Sequence, residues 1–395
     1  MISGEAFWVW LQHGLGSGSS KVRRILSGCS GLEEFWKSGP QFWRILGIFT
    51  NRELGALEQF TPEDAQGIIE QSQQLGHRVL TPDSEGYPRC LWEIHNPPCA
   101  LYVKGELPLV DEQPAIAMVG TRDATLSGRK IAFSLSYQLA QAGAIVISGG
   151  ARGIDTAAHK GALQAQGKTV CVLGCGLEYP YLMENAQLRQ CIAESGALVS
   201  EYPLKTPGSK VAFPIRNRII SGLSSGIVVV EAAAKSGSLI TADLALEQGR
   251  DVFAVPCGID NPVSGGVNNL IKNGAVPVSS AAEILEPYLH RFPQMRQLSG
   301  RADSGALFSV VPERSPQKKK SIPLSPMNSD KPKLVHGEAS DDAALVDSFL
   351  TGEALHLSVL GEKTDLSPQR LLAALTELEL LGRARALGGG RYLAQ

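Results

Sequence analysis

The chain has 395 residues, 43% of them hydrophobic and 19% charged, with a formal net charge of −2. That length predicts two or three domains, the largest with a full core, and the near-neutral balance excludes a protein that coats nucleic acid through overall positive charge. Any nucleic-acid binding must therefore use a local groove. Seven cysteines, odd in number, scattered and lacking a C-x-x-C pair, read as thiols in a reducing compartment rather than as a disulfide or zinc framework. No run reaches membrane-spanning length and no leader pattern opens the chain, so a cytoplasmic protein without membrane contact is expected.

Residues 1–75 are predicted to be helical. Phe7, Trp8, Trp10 and Leu11 precede Gly14-Leu15-Gly16-Ser17-Gly18, and Val22, Ile25 and Leu26 follow at helical spacing. Two short helices about a glycine turn resemble a helix-hairpin-helix or SAM-like unit, whose turn amides contact DNA phosphate; glycine-rich helix turns also occur without that role. Two further helices are expected between Gln41 and Gln74, broken near Thr50 and Thr61-Pro62. From His77 to Gly105 the pattern changes to short extended pieces with Pro82, Pro88, Pro97 and Pro98, leading into the main domain.

The main domain, residues 76–290, alternates strand and helix. Ala115 to Val119, Ala144 to Ser148, Thr169 to Leu173, Ala197 to Ser200, Ile227 to Val230 and Val252 to Val255 are apolar runs without polar alternation. Such runs suit parallel strands covered on both faces. Helical repeats between them, Ile131, Leu135 and Leu139 and later Leu239, Ala242 and Leu246, complete an α/β pattern. The expected fold is a doubly wound sheet with its ligand at the carboxyl ends of the strands.

Those ends carry the unusual residues. Gly120, Thr121 and Arg122 follow the first strand, with a helix expected near Ser127, and suit a phosphate clamp. Ser148-Gly149-Gly150-Ala151-Arg152-Gly153-Ile154-Asp155 follows the second, with Asp155 expected to cap the next helix. The densest cluster is Lys210, Phe213, Pro214, Arg216, Asn217 and Arg218, followed by a strand, Glu231, and Lys235-Ser236-Gly237-Ser238 at a helix start near Leu239. Cations with an aromatic platform hold an unpaired strand, each stacked base contributing about 1–3 kcal/mol. A helix N-terminus with a glycine lets a phosphate approach the backbone. The plainer reading makes Phe213-Pro214 a buried turn and Arg216 and Arg218 a solvated face; the clustering favours the site. No G-x-G-x-x-G fingerprint follows the first strand, so no nicotinamide or flavin cofactor is expected.

These blocks, with Tyr179-Pro180, Ser200-Glu201-Tyr202-Pro203, Gly249-Arg250, Pro256 and Ser264 to Ala275, resemble the DNA-processing protein A family, DprA or Smf, over the central 180 or so residues. The resemblance implies an extended Rossmann-like domain that binds single-stranded DNA, protects incoming strands and loads the RecA recombinase during natural transformation. It also implies homodimerisation and a RecA contact overlapping the same region, and Val252 to Val255 and Leu270-Ile271 are candidates for either interface by exclusion. Carried onto this chain, Gly120, Thr121, Arg122, Ser236, Gly237 and Ser238 would hold phosphate, with Arg152 and Lys235 nearby. Lys210 and Arg216 would line the groove, Phe213 would contact a base, and Asn217 and Arg218 would order the pocket. Glu231 is expected to be structural, accepting from Arg218 or loop amides, and His159 to be a core or surface histidine.

Residues 291–340, with Ser-Pro pairs and Lys318-Lys319-Lys320, read as a flexible linker. Residues 341–395 recover periodicity through Leu345, Phe349 and Leu350, then His356 to Leu360, then Leu371, Leu375 and Leu378 after Ser367-Pro368, before a Gly388 hairpin. This is a winged-helix pattern. Its third helix sets Arg370 against Glu377 and Glu379, so a partner-binding or vestigial role is at least as open as duplex recognition. Two functional classes follow: a non-enzymatic strand binder and RecA loader, and a nucleotide or nucleoside-phosphate hydrolase motivated by Glu231 and Asp155. No Walker motif, metal cluster or nucleophile–base constellation favours the second.

Overall fold

The computed structural model describes residues 2–258, 261, 263–295, 340–350, 355–364, 366, 368–381, 383–387 and 391–394. The linker lysines Lys318 to Lys320, Ser367 and Gly388 lie outside them. The chain divides into two units, Met1–Val311 and Pro312–Gln395.

The first unit opens with helices Gly4–Leu15, Val22–Leu26, Leu32–Lys37, Gly39–Ile45, Asn51–Gln59 and Pro62–Gln74. Both expected breaks are helix starts: Thr50 with Glu53, and Thr61 with Asp64, form reciprocal capping boxes that satisfy amides the helix leaves open. Between Gln41 and Gln74 there are thus three helices instead of two, because Gly47 and the Thr50 box divide the first stretch. Trp10, Phe35 and Trp43 pack ring against ring beneath them.

The sheet strands are β1 Arg78–Leu80, β2 Leu101–Gly105, β3 Ala115–Val119, β4 Ile145–Ser148, β5 Thr169–Leu173, β6 Ala197–Ser200, β7 Gly226–Val229, β8 Asp251–Ala254 and β9 Val276–Pro277. Their order is β1-β2-β6-β5-β4-β3-β7-β8-β9. From β6 to β9 neighbours are parallel, whereas β1 and β2 add an antiparallel edge beside β6. The extended pieces after His77 are therefore part of the sheet, which is what extends the Rossmann-like core. β3 and β7 are neighbours in space but far apart in sequence, so the strand order reverses between them.

The helical segment shares one core with the sheet: Trp8, Trp10 and Leu11 cluster with Cys171, Leu173 and Leu198. Gln12 reinforces the junction, its Nε2 donating to Glu201 O at 2.7 Å and its Oε1 accepting from Ala100 N at 2.8 Å. The glycine turn faces inward at Gly18, whose amide donates to Glu201 Oε1 and whose carbonyl accepts from Asn96 Nδ2. That end of the turn is occupied by the protein itself and is not open to a phosphate.

Two boundary readings are corrected. Val252 and Val255 are buried in the sheet core, and Leu270 and Ile271 pack against it, so the β8 residues cannot form an interface. Phe292 and Met295 also join the core, so the main fold runs past residue 291. The seven cysteines are unpaired, among the described residues no cluster suits a metal, and no described helix is long and apolar enough to cross a membrane.

The second unit is a winged helix. Helices Asp341–Phe349, Leu357–Thr364 and Pro368–Leu380 pack through Val346, Leu360, Leu371, Leu375 and Leu378. Strands Leu355–His356, Ala384–Leu387 and Arg391–Ala394 form an antiparallel sheet with the last in the middle. Leu345, expected in this core, is exposed; Val346 takes its place. On the third helix Arg370 pairs with Asp342 through two contacts of 2.8 and 2.7 Å, while Glu377 accepts from Ser340.

Candidate nucleic-acid interface

A cleft of about 510 Å³ opens at the carboxyl ends of β3 and β7, where the strand order reverses. Its walls come from the loop Gly120 to Asp123, from Ala151 and Asp155 after β4, from the helix Ala212–Gly222, and from the start of the helix Gly237–Glu247. Doubly wound sheets bind ligands here because connections leave β3 and β7 to opposite sides and expose the strand tips between them.

The helix Ala212–Gly222 supplies one wall through a single face. Each residue advances about 100°, so Arg216, Asn217 and Ile220 all lie within about 60° of the direction of Phe213, whereas Arg218 points about 140° away from it. The first four line the cleft and Arg218 does not. Pro214 sits in the first turn, where its missing N–H leaves no helical bond unmade. The chain just before this helix brings exposed Lys210 to the rim.

Phe213 is seated deeply enough to be fixed yet remains partly exposed. A Cβ at Gly174 would press into its ring, and Gly208 also leaves room for it. Tyr181 packs beside it at 5.3 Å between centroids. The guanidinium carbons of Arg122 and Arg216 stand 5.5 and 5.9 Å from the ring centre, within cation–π range.

Arg122 and Arg216 differ in their freedom. Arg122 is exposed, whereas Arg216 is only 5% exposed. Nη1 of Arg216 donates to Gly149 O at 2.7 Å and to Val172 O, while its Nε has no hydrogen-bond partner among the described residues. Gly149 has to lack a side chain, since a Cβ there would overlap this guanidinium. Burial pushes the pKa of Arg216 below its ordinary value, and Asp155 opposes that shift. Burial conversely raises Asp155, with Arg216 pulling it down. Asp155 accepts from Ala151 N at 3.2 Å inside the first helical turn; Gly153 holds the N-cap position instead, so the capping role expected for Asp155 is corrected.

The second loop behaves as its sequence suggests. Ser236 caps the helix Gly237–Glu247 by accepting from Ser238 N, and Gly237 has open space around its Cα. Asn217 Nδ2 donates to Gly237 O at 3.5 Å, tying this turn to the Phe213 helix. Lys235 is exposed in the turn before the cap and is not among the cleft walls.

The first loop is different. Glu231, at the end of β7, is 3% exposed. Its carboxylate accepts from Thr125 N at 2.9 Å and Thr125 Oγ1 at 2.6 Å, and its carbonyl accepts from Thr121 N at 2.7 Å. Loop amides are thus its partners, as expected, and Arg218 is not. The helix Leu126–Gln141 starts at the Thr125 cap, slightly earlier than Ser127.

Three of the residues singled out in the sequence do not line the cleft. Arg218 is buried and ion-paired to Glu201, because its position on the helix directs it under the fold. Arg152 is exposed on the surface beside the cleft and paired with Glu184. Lys235 stands outside as described above. His159 is fully buried, its Nδ1 2.8 Å from Thr169 Oγ1, and burial lowers its pKa to about 3; it is a core histidine. Sequence reasoning missed Asp123, Ile240, Thr241 and the neighbour Tyr181. Thr125 had a readable signal, a threonine just before a helical repeat; Tyr181 had none, since its loop reaches Phe213 only through tertiary packing.

A doubly wound sheet with an antiparallel extension, a helical segment sharing its core, a separate winged helix and a cationic, ring-bearing cleft at the switch point defines an extended Rossmann-like binding protein. The description DNA recombination-mediator protein A matches residues 78–289, and the DprA winged helix domain matches residues 330–390. The chain belongs to this DprA/Smf family.

Protein Smf of Synechocystis is 34% identical over 99% of this chain and 98% of its own length. DNA processing protein DprA of Bacillus subtilis is 38% identical over 67% of this chain and 92% of its own. Among solved structures, DNA processing protein A of Streptococcus pneumoniae aligns with a TM-score of 0.62 at 32% identity, covering 72% of this chain and 98% of that one. A structure concerned with the single-stranded DNA binding mode of the Helicobacter pylori protein aligns with a TM-score of 0.50 at 30% identity, covering 54% and 96%.

Proposed function

We propose that the chain binds single-stranded DNA in the switch-point cleft and performs no chemistry on it. The observation that carries this reading is the Phe213 ring with two guanidiniums within cation–π range, one of them buried and held by backbone carbonyls. Unpaired DNA supplies both complements at once: a flat base for the ring and a phosphate for the cations. A duplex hides its base faces in the stack. The family relative from Helicobacter pylori, described by its single-stranded DNA binding mode, supports the same ligand.

Gly120, Thr121, Arg122, Lys210, Phe213, Arg216 and Asn217, with the turn Ser236 to Ser238, are the proposed contact set. The hydrolase reading draws no support from Glu231, whose carboxylate oxygens are occupied by Thr125. Fluorescence anisotropy of labelled oligo-dT against salt tests the proposal. Binding that weakens with salt and exceeds binding to a duplex of equal length is expected; equal affinity for both would refute it.

The family resemblance supports a finer role: the bound strand is protected and passed to RecA during natural transformation, by a cytoplasmic protein acting as a homodimer. RecA ATPase on a protein-covered single strand is expected to begin sooner when this chain is present. Analytical ultracentrifugation is expected to give twice the 42.1 kDa chain mass. An unaltered ATPase onset, or a monomer at every concentration, would remove the corresponding part.

A further inference from the structure

In a doubly wound fold, the turn after the first parallel strand and the helix it opens form the usual seat for the phosphates of a free nucleotide, because unpaired amides and the helix dipole converge there. Here that turn joins β3 to the helix Leu126–Gln141, and several of its donors are already engaged by the protein. Thr121 N donates to Glu231 O at 2.7 Å. Thr125 N and Oγ1 donate to the two oxygens of the Glu231 carboxylate at 2.9 and 2.6 Å, and Asn261 Nδ2 reaches the same group at 3.4 Å. Thr125 Oγ1 in turn accepts from Gly128 N, and Thr121 Oγ1 from Asp123 N.

Two features show that the seat is shaped around this carboxylate. Glu231 is nearly sealed from solvent, although it comes from the loop that follows the neighbouring strand β7. Gly128 lies in the first turn of the helix, and a Cβ there would overlap the Glu231 carboxyl group. Both loops border the cleft, but in the second Gly237 has open space beside its Cα and no carboxylate fills it.

From these contacts we infer that Glu231 is a specificity-determining residue, an internal carboxylate that fills the first-loop phosphate seat and closes it to free nucleotides and pyrophosphate. A strand in the cleft keeps the cleft-facing edge of the first loop at Gly120 to Arg122, the other cations and the Gly237 turn. The inference builds on the strand-binding reading, yet it concerns a different ligand class and has its own readout.

Calorimetric titration of the full chain with sodium pyrophosphate and with ADP tests it, using wild type, Glu231→Ala and Glu231→Gln, with oligo-dT binding and thermal unfolding measured on each. Wild type is expected to bind pyrophosphate weakly, and folded Glu231→Ala at least about tenfold more tightly. Glu231→Gln, which keeps the volume and an acceptor but removes the carboxylate, is expected to gain less. A folded Glu231→Ala with wild-type pyrophosphate affinity overturns the inference. Should the alanine variant not fold, the glutamine variant decides: a gain supports the inference and no gain overturns it. Loss of oligo-dT binding by wild type would instead strike the strand-binding reading and leave this comparison standing.

Discussion

Arg218 Nη2 meets Glu201 Oε1 beneath the cleft, in an ion pair whose side chains are 3% and 2% exposed. The same carboxylate accepts from Gly18 N, and the Glu201 carbonyl accepts from Gln12. One residue thereby joins the amino-terminal helices, the end of β6 and the helix that carries Phe213.

Removing one partner of this pair leaves the other charged and buried. Arg218→Ala or Glu201→Ala is expected to destabilise the first unit by about 3–5 kcal/mol, read by urea denaturation. An effect below about 1 kcal/mol in both would show that the pair is not a structural joint.

Lys210 and Arg122 are exposed cations on the cleft, so their removal is expected to leave stability unchanged. Each of Lys210→Ala and Arg122→Ala should weaken oligo-dT binding and flatten its logarithmic salt dependence by about 0.7 per lost phosphate contact. Arg152→Ala, at a residue already paired with Glu184, should change that slope less. Equal slopes across wild type and all three variants would remove Lys210 and Arg122 from the strand path.

Phe213→Leu keeps an apolar side chain in the seat between Gly174 and Gly208 but removes the ring. A loss of about 1–3 kcal/mol in oligo-dT affinity is expected, equivalent to one stacked base. An abasic oligonucleotide should not distinguish the variant from wild type. If both ligands lose equally, the ring supports the fold and not the base.

His159 is held neutral by burial, with its pKa lowered to about 3. In the unfolded chain a histidine takes a proton near pH 6.5, so the unfolded state binds more protons between those values and stability falls as pH drops. From pH 7.5 to 5.5 this amounts to about 1.4 kcal/mol. His13 and His77 are lowered by burial too and add with the same sign. The His159→Asn variant should therefore show a shallower fall than wild type over that interval, and parallel curves would contradict the assignment.

Much of the architecture was readable from local pattern. The apolar runs at Ala115 to Val119, Thr169 to Leu173 and Ala197 to Ser200 coincide with β3, β5 and β6, because a strand buried on both faces has no polar alternation. The antiparallel strands β1 and β2 were visible only as extended pieces, since short strands among prolines acquire their pairing from β6 and from each other.

Sequence by itself determined the alternating α/β order, the glycine and hydroxyl turns at the strand tips and the helical spacing that sets Phe213, Arg216 and Asn217 on one face. Each follows from interactions among residues close in the chain. Tertiary structure alone decided which charges face solvent: Arg218 turns inward to Glu201, Arg152 pairs with Glu184, and Glu231 crosses from β7 to fill the turn after β3. Those outcomes depend on carboxylates 17, 32 and 106 residues away along the chain, brought near only when the sheet closes.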